Sequence, residues 1–240
     1  QKKKKTVGVS GSDQAVTNAG RGDELAYQMA KAGKELKRDM EFMNVGVENA
    51  KAAGSSGTAR ESASVGTWYG GNIPGTSTAA GNFSTNGSPS ATPAGTGATA
   101  IAGGTNRTFT EALLRTGLKK CYELGGNPDV VMMSASHKQL ASAFSGVATL
   151  YKNADDKTVI GAVDVYVSDF GEVSFVPNRH QQANRVDILE MDKWEIAYLR
   201  PFQTKDLASS GDNEKRLLLA EWTLVARSPN ANFGIFNLTA

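Results

Sequence analysis

Apolar residues recur with a helical period near the N-terminal end of the chain. Between Gly22 and Val47 they fall on one stripe, formed by Leu25, Met29, Ala32, Leu36, Met40, Met43 and Val47. The spacing predicts one helix over residues 22–47, about 39 Å long at a rise of 1.5 Å per residue. A single narrow Met-rich stripe is typical of a helix that packs on a core or supports a sheet.

A second helical region follows residue 107. Thr108 and Glu111 have the spacing of a capping box, in which their side chains satisfy free amides at a helix start. The apolar face of this helix includes Cys121, and Gly125 is predicted to end it. Cys121 is the only cysteine, so no intrachain disulfide can form, and its position on the stripe predicts a buried small hydrophobe.

A strand–helix unit follows at residues 129–146. A short buried strand is predicted over 129–133, and Ser134 or Ser136 is predicted to cap a helix that Gly146 ends. This unit is the most enzyme-like feature of the chain.

Strand periodicity dominates the C-terminal part. Val163, Val165 and Val167 are predicted to share the apolar face of a strand that continues, after a turn at 169–171, to Pro177. Further strands are predicted over 186–189, 194–199, 217–226 and 233–238. The lysine-rich segment Lys2–Ser10 predicts a polar strand, whose lysines either contact phosphate or an acidic neighbour or protect a solvated edge.

The stretch between Glu61 and Arg107 contains 45 residues without a single charge. Gly, Ser, Thr, Ala, Asn and Pro dominate residues 70–106, a composition that buries too little apolar area to order itself. It predicts either a disordered linker or an extended loop ordered by neighbours, in the form of a surface loop or an inserted hairpin.

Charge and residue types exclude most chemistry. The net charge of +2 comes from 26 basic and 24 acidic residues that are interspersed, which does not predict nucleic-acid binding. No apolar run approaches the roughly 20 residues of a membrane span. His137 and His180 lack metal-ligand partners at helical spacing, so no metal, cofactor or catalytic residue is predicted, and a Ser–His–Asp triad stays a minor alternative. Four carboxylates are interpreted as solvated charges near strand ends, namely Asp187, Glu190, Asp192 and Glu195.

One polar cluster stands out near the C-terminal strands. It spans residues 200–207 and 211–216, which are predicted to be loops between strands. Mixed charges on such loops suit ion pairs between subunits, and ordinary solvated loops are the alternative. The candidate subunit contacts are Arg200, Lys205, Asp206, Asp212, Glu214, Lys215 and Arg216.

Several ordered segments resemble the major capsid proteins of short-tailed bacteriophages. The segments are SGSDQAV at 10–16, ELAYQMAK at 24–31, KELKRD at 34–39, GGNP at 125–128, DVYVSDFGEVSFVPN at 164–178, AYLRPF at 197–202, Asp206-Leu207, GDNEKR at 211–216 and LAEWTL at 219–224. The resemblance covers nearly the whole chain except the uncharged loop.

The resemblance implies an α+β fold of the Hong Kong 97 capsid type, with a long spine helix, a peripheral domain and an axial domain. Residues 1–10 would be the returning strand of a truncated extended loop. Residues 11–126 would form the spine helix and peripheral domain, including the loop 62–106. Residues 127–200 would form the axial domain, and residues 201–240 would return to the peripheral domain.

The function implied is that of a structural shell protein without enzymatic activity. Copies would assemble in the host cytoplasm into pentamers and hexamers, forming a phage head around double-stranded DNA that they contact without sequence specificity. Portal, scaffold and cement proteins are further candidate partners, and the virion is the expected location. Two alternatives stay open: a small α/β enzyme centred on residues 129–146, and a binding or adhesive module that uses the loop 62–106.

Overall fold

A computed structural model describes residues 1–16, 22–70, 82–144 and 164–239 of the protein. The helices in these ranges are α1 (Gly11–Ala15), α2 (Glu24–Glu41), α3 (Glu111–Glu123) and α4 (Ala135–Ser142). The strands are β1 (Lys2–Ser10), β2 (Phe83–Ser84), β3 (Pro89–Ala91), β4 (Ala102–Gly103), β5 (Val130–Met133), β6 (Val165–Ser168), β7 (Gly171–Pro177), β8 (Val186–Leu189), β9 (Trp194–Leu207), β10 (Asn213–Ala226) and β11 (Phe233–Ile235).

The long helix α2 follows the predicted apolar stripe. Its start is capped by Asp23, whose carboxylate accepts the Ala26 N–H at 3.0 Å. Residues on the stripe are buried, among them Leu25, Ala32, Leu36 and Met40. After Glu41 the chain continues as a π-helical turn, Phe42–Gly46, so the predicted helix over 22–47 is confirmed in place but ends in a wider turn.

The helix α2 packs on a three-stranded antiparallel sheet with the order β1-β10-β9. All nine residues of β1 pair with β10, from Lys2 opposite Glu221 to Ser10 opposite Asn213. The predicted alternation of β10 is confirmed, because its buried apolar face lies against α2. That contact joins Leu218, Ala220 and Trp222 of β10 to Ala32, Leu36 and Met40 of α2.

A six-stranded mixed sheet has the order β2-β11-β8-β5-β7-β6. The strand β5 lies near its centre, parallel to β7 and antiparallel to β8. One face carries the main core, to which α3 contributes Leu114, Leu118 and Cys121, all buried. The prediction that Cys121 is a buried small hydrophobe is therefore confirmed.

A further apolar cluster connects the other face of the six-stranded sheet to the three-stranded sheet. It contains Val45 of the π-helical turn, Tyr69, Leu189 of β8 and Leu224 of β10. The end of α2 therefore touches both sheets, because Val45 follows directly on the helix that packs against β10.

Two local predictions are wrong. No capping box forms, because α3 begins at Glu111 and its N-cap residue is Thr110 rather than Thr108. The Glu111 carboxylate instead accepts a hydrogen bond from the Tyr166 hydroxyl at 3.0 Å. In β6 the predicted face is reversed: Val167 is 66% exposed, whereas Tyr166 is 7% exposed and stacks on Phe175. A strand has a period of two, so placing the aromatic ring in the core turns its neighbours outward.

The described parts of the uncharged stretch, 62–70 and 82–106, form a loop ordered by its neighbours. Ser64, Thr67 and Tyr69 are fully buried, and β3 and β4 pair as a small hairpin. Residues 71–81, and the predicted positions Gly146 and Val163, lie outside the described residues.

The strands of the two larger sheets alternate along the chain. The predicted domain boundary at residue 200 falls inside β9, and residues 201–240 contribute to both sheets, because β11 pairs with β8. Which sheet corresponds to the axial and which to the peripheral domain stays a prediction.

Candidate subunit-contact surface

The predicted charged cluster lies on the distal half of the β9–β10 hairpin. Arg200, Lys205 and Asp206 belong to β9, and Glu214, Lys215 and Arg216 belong to β10. Only Asp212 lies in the turn between these strands, so the prediction that all seven occupy loops is wrong. Charged side chains tolerate this placement because both faces are solvated at the hairpin tip, where residues 203–212 are exposed.

Two cross-strand ion pairs use four charges of this hairpin. The Arg216 guanidinium contacts the Asp206 carboxylate at 2.9 Å, and the two residues are direct partners in the antiparallel register. Arg200 donates to Glu221 at 2.7 Å, again from a paired position. These contacts stabilise the hairpin only weakly, because the partners are partly or largely exposed and water screens them.

The other predicted contact residues keep their charges available at the tip. Lys215 donates to the Ser210 hydroxyl at 2.9 Å, and the Asp212 carbonyl accepts the Gly11 N–H at 3.1 Å, which ties α1 to the turn. Among the described residues, Lys205, Asp212 and Glu214 form no ion pair. The tip therefore presents unpaired charges of both signs to solvent.

A buried ion network lies between the end of α2 and the six-stranded sheet. Arg185 and Asp187 are fully buried and contact each other at 3.0 Å. Asp187 also accepts the Tyr69 hydroxyl at 2.8 Å and the Gln181 amide at 2.6 Å. The prediction that Asp187 is a solvated charge is therefore wrong, because three neighbouring groups satisfy it in the interior.

The arginine of this network also reaches the π-helical turn that continues α2. Arg185 donates to the Val45 carbonyl of the π-helical turn at 2.9 Å and lies 3.6 Å from the Glu48 carboxylate. Burial raises the pKa of Glu48 to about 7, since Arg185 offsets the desolvation only in part. The network joins α2 to β8, and the alternation of Arg185 and Asp187 with apolar Val186 and Ile188 was the signal for it in the sequence.

The residues that suggested chemistry occupy structural positions. His137 is fully buried beside Phe109, its Nε2 lies 2.7 Å from the Ala183 carbonyl, and desolvation lowers its pKa. Burial raises the pKa of Cys121 to about 12, which keeps its thiol protonated. In the described ranges, no three His, Cys, Asp or Glu side chains come together as a metal site would require. No helix there has the length and apolarity to cross a membrane.

Known proteins resemble this chain in sequence and in fold. The major capsid protein of Escherichia phage Phieco32 is 25% identical over an alignment of 266 positions, which takes in 97% of this chain and 73% of the phage protein. The cyanophage A-1(L) capsid structure superimposes with a TM-score of 0.65 at 16% identity, over 100% of this chain and 77% of that one. For the Gordonia phage Cozz structure the TM-score is 0.56 at 13% identity, over 100% and 70%.

These likenesses confirm the predicted fold class and favour the shell protein over both alternatives. The structural neighbours are capsid proteins of the Hong Kong 97 type, and helices and strands are mixed here as that fold requires. The model of the SU10 major capsid protein family matches residues 1–239. The chain therefore belongs to the SU10 major capsid protein family, whose members are structural proteins of the phage virion capsid.

Proposed function

We propose that this capsid protein assembles through heterologous contacts that close into pentamers and hexamers, and that the tip of the β9–β10 hairpin is one of these contacts. The observation that carries the proposal is the family match over residues 1–239. A head-to-tail contact between different surfaces of identical subunits generates rings when its rotation closes. Host cytoplasm is the proposed place of assembly.

The hairpin tip supports the contact role through its exposure and its charges. Residues 203–212 are all exposed, and Lys205, Asp212 and Glu214 form no ion pair within the described residues. Charges at the rim of an interface set orientation and association rate more than affinity. All seven predicted charged residues are proposed to act there, with Arg200, Asp206 and Arg216 acting mainly by holding the hairpin.

The proposed partners follow from the same family membership. Packaged double-stranded DNA would be contacted weakly per subunit and without sequence specificity, because the net charge is only +2. Portal, scaffold and cement proteins are proposed as further partners. We also propose that the protein has no enzymatic activity, which the buried settings of His137 and Cys121 support.

The two sheets support a revised division into domains. We propose that α2 and the three-stranded sheet form the peripheral domain, and that the six-stranded sheet forms the axial domain. In this division residues 1–10 and the spine helix keep their predicted roles. From residues 11–126, β2 and α3 move to the axial domain, because they pair with or pack on the six-stranded sheet. From residues 127–200, the start of β9 moves to the peripheral domain, and from residues 201–240, β11 moves to the axial domain by its pairing with β8.

Negative-stain electron microscopy of the purified protein tests the assembly proposal. Rings, tubes or shells are expected as concentration rises, whereas uniform monomers at high concentration would contradict self-assembly. The variant Lys205→Ala/Asp212→Ala/Glu214→Ala is expected to raise the critical concentration for assembly by about tenfold, equivalent to 1.4 kcal/mol. The control Glu195→Ala/Arg227→Ala removes an exposed ion pair at the opposite end of the hairpin and is expected to assemble normally. Normal assembly of the tip variant would remove the hairpin from the contact.

A further inference from the structure

A groove lies on the face of the three-stranded sheet opposite α2. Lys2 and Lys4 of β1 and Glu221 of β10 form its floor, and the loop 52–61 forms a wall that carries Arg60. One cavity of about 630 Å³ adjoins a second of about 380 Å³, and Lys2, Arg60 and Glu221 line both. A space of this size suits a segment of polypeptide better than a single ion.

The wall of the groove is held in place by backbone hydrogen bonds. Ala52 and Glu61 exchange two such bonds of 3.1 Å each, which closes the loop at its base. The Ser55 N–H donates to the Thr58 carbonyl at 2.9 Å, which fixes the turn at its end. Beyond the loop, the Ser62 hydroxyl accepts the Leu224 N–H of β10 at 3.1 Å and anchors the wall to the sheet. The groove therefore exists before any ligand binds.

The groove carries an excess of positive charge. Lys2, Lys4 and Arg60 form no ion pair among the residues that the structure describes, whereas the carboxylate of Glu221 is engaged by Arg200 at 2.7 Å. Lys2 and Arg60 add to Arg200 in lowering the pKa of Glu221, so this carboxylate stays charged and already compensated. A ligand of this groove is expected to bring negative charge.

One end of the groove is apolar. Leu199 is 76% exposed and Tyr198 is 45% exposed, and both line the smaller cavity. The pairing of β9 with β10 is irregular next to Leu199, and β9 is an edge strand of its sheet. Exposed apolar side chains beside unpaired cations favour a polypeptide that carries carboxylates and an aliphatic side chain. A nucleic-acid backbone offers phosphates and polar sugars but no aliphatic side chain.

The hairpin tip has this combination together with α1, which the hydrogen bond from Gly11 to the Asp212 carbonyl ties to it. Among the described residues, this end of the sheet carries more carboxylates than lysines that lack an ion pair. The carboxylates are Asp13, Asp212 and Glu214, and the lysines are Lys205 and Lys215. Leu207 is 39% exposed beside them. The tip lies about 26 Å from the groove along the nine residues of β1, at the opposite end of the same sheet. One copy therefore cannot fill its own groove with its own tip.

We propose that the tip of the β9–β10 hairpin of one subunit inserts into the cationic groove of a neighbouring subunit. Its carboxylates lie against Lys2, Lys4 and Arg60, and Leu207 packs near Leu199. Donor and acceptor surfaces differ, so the contact is heterologous and propagates from subunit to subunit. This inference rests on the proposed function and names the acceptor of the tip.

A charge swap tests the pairing. Lys4→Glu/Arg60→Glu reverses the groove and Asp212→Lys/Glu214→Lys reverses the tip. Each is expected to raise the critical concentration for assembly at low ionic strength about tenfold, and the four changes combined are expected to restore it to within about threefold of wild type. The control Lys31→Glu/Lys34→Glu makes the same charge change on α2 and is expected to assemble normally. Thermal unfolding of each variant checks that it is folded.

A disulfide test locates the contact directly. Ser55 lines the groove and Ser210 lies in the tip, both exposed, whereas the native Cys121 is buried. A mixture of Ser55→Cys protein and Ser210→Cys protein is expected to form a covalent dimer on mild oxidation, and each protein alone is not. Dimers of the Ser210→Cys protein alone would indicate contact between tips and overturn the proposal.

The outcomes separate this inference from the proposed function. Shells that form normally from both reversed variants, or a swap that restores nothing, would overturn the inference while self-assembly stands. Absence of assembly by the wild-type protein would overturn both. Binding of a short DNA duplex that Lys4→Glu/Arg60→Glu abolishes, without any mixed disulfide, would assign the groove to nucleic acid and also overturn the inference.

Discussion

Replacing Arg185 by Met tests whether the buried ion network holds the spine helix to the six-stranded sheet. The guanidinium is fully buried, 3.0 Å from Asp187, 2.9 Å from the Val45 carbonyl and 3.6 Å from Glu48. The substitution fills a similar volume but leaves two carboxyl groups in the interior without their cation. Removing one partner of a buried pair is far more costly than exchanging both for apolar residues.

The expected loss is about 3–5 kcal/mol of unfolding free energy for Arg185→Met. Arg185→Lys keeps the charge, but one ammonium cannot span Asp187 and the Val45 carbonyl as the guanidinium does, so a loss of about 2–3 kcal/mol is expected. The control is Arg227→Met, which makes the same chemical change in an ion pair whose side chains are 64% and 51% exposed. Its expected loss is about 0–1 kcal/mol.

Urea unfolding of the unassembled protein, followed by tryptophan fluorescence, measures these differences. With an m-value of about 2.5 kcal/mol/M, a loss of 4 kcal/mol lowers the midpoint by about 1.6 M. Equal midpoint shifts for Arg185→Met and Arg227→Met would refute the reasoning. The double variant Arg185→Met/Asp187→Leu is expected to lose less than the sum of its single variants, because both members of the closest buried pair are then removed together.

Three further predictions concern stability. Burial raises the pKa of Glu48 from 4.5 to about 7, so its contribution to stability is complete below pH 4.5 and is lost as pH rises to 7. In urea titrations, the unfolding free energy of the wild type should fall by about 3 kcal/mol over that window relative to that of Glu48→Gln. Parallel curves of unfolding free energy against pH would contradict this. Gly66→Ala places a methyl group against the Arg185 guanidinium and should cost about 2 kcal/mol by thermal unfolding, whereas Gly57→Ala, in open space, should change stability by less than about 0.5 kcal/mol. Asp206→Asn, in an exposed pair, should change the unfolding free energy measured by urea titration by less than about 1 kcal/mol.

Much of the fold was predictable because local periodicity is recorded in the sequence. The stripe of α2 and the alternation of β10 each mark one buried face, and both faces meet in the structure. The stop at Gly125 was predictable for a local reason as well, since its φ of +81° suits a residue without a side chain.

The errors arose where a distant partner overrides a local signal. Glu111 bonds to Tyr166 rather than to its own helix start, and Tyr166 takes the core position that the valine alternation had predicted for its neighbours. Lys205 and Asp206 suggested a loop, but they lie in a strand because β10 supplies the hydrogen-bond partners.

The candidate contact surface shows the same division between features that local sequence predicts and features that distant partners decide. Sequence reasoning found the charged residues of the hairpin but not the ion pairs between Arg216 and Asp206 or between Arg200 and Glu221, since a strand register brings them together. It missed the groove, because Lys2, Arg60 and Glu221 are far apart in the chain and meet only after the sheet and its covering loop form.

By itself the sequence determined the family, the spine helix and most strands, since these depend on ordered motifs and on the spacing of apolar residues along one segment. The tertiary structure alone decided which strands pair, which charges are buried and which remain available at the surface. The reason is physical: the free energy of a charge depends on its solvation and its partners, and for Asp187 the local sequence does not show the burial or the hydroxyl of Tyr69, which lies 118 residues away in the chain.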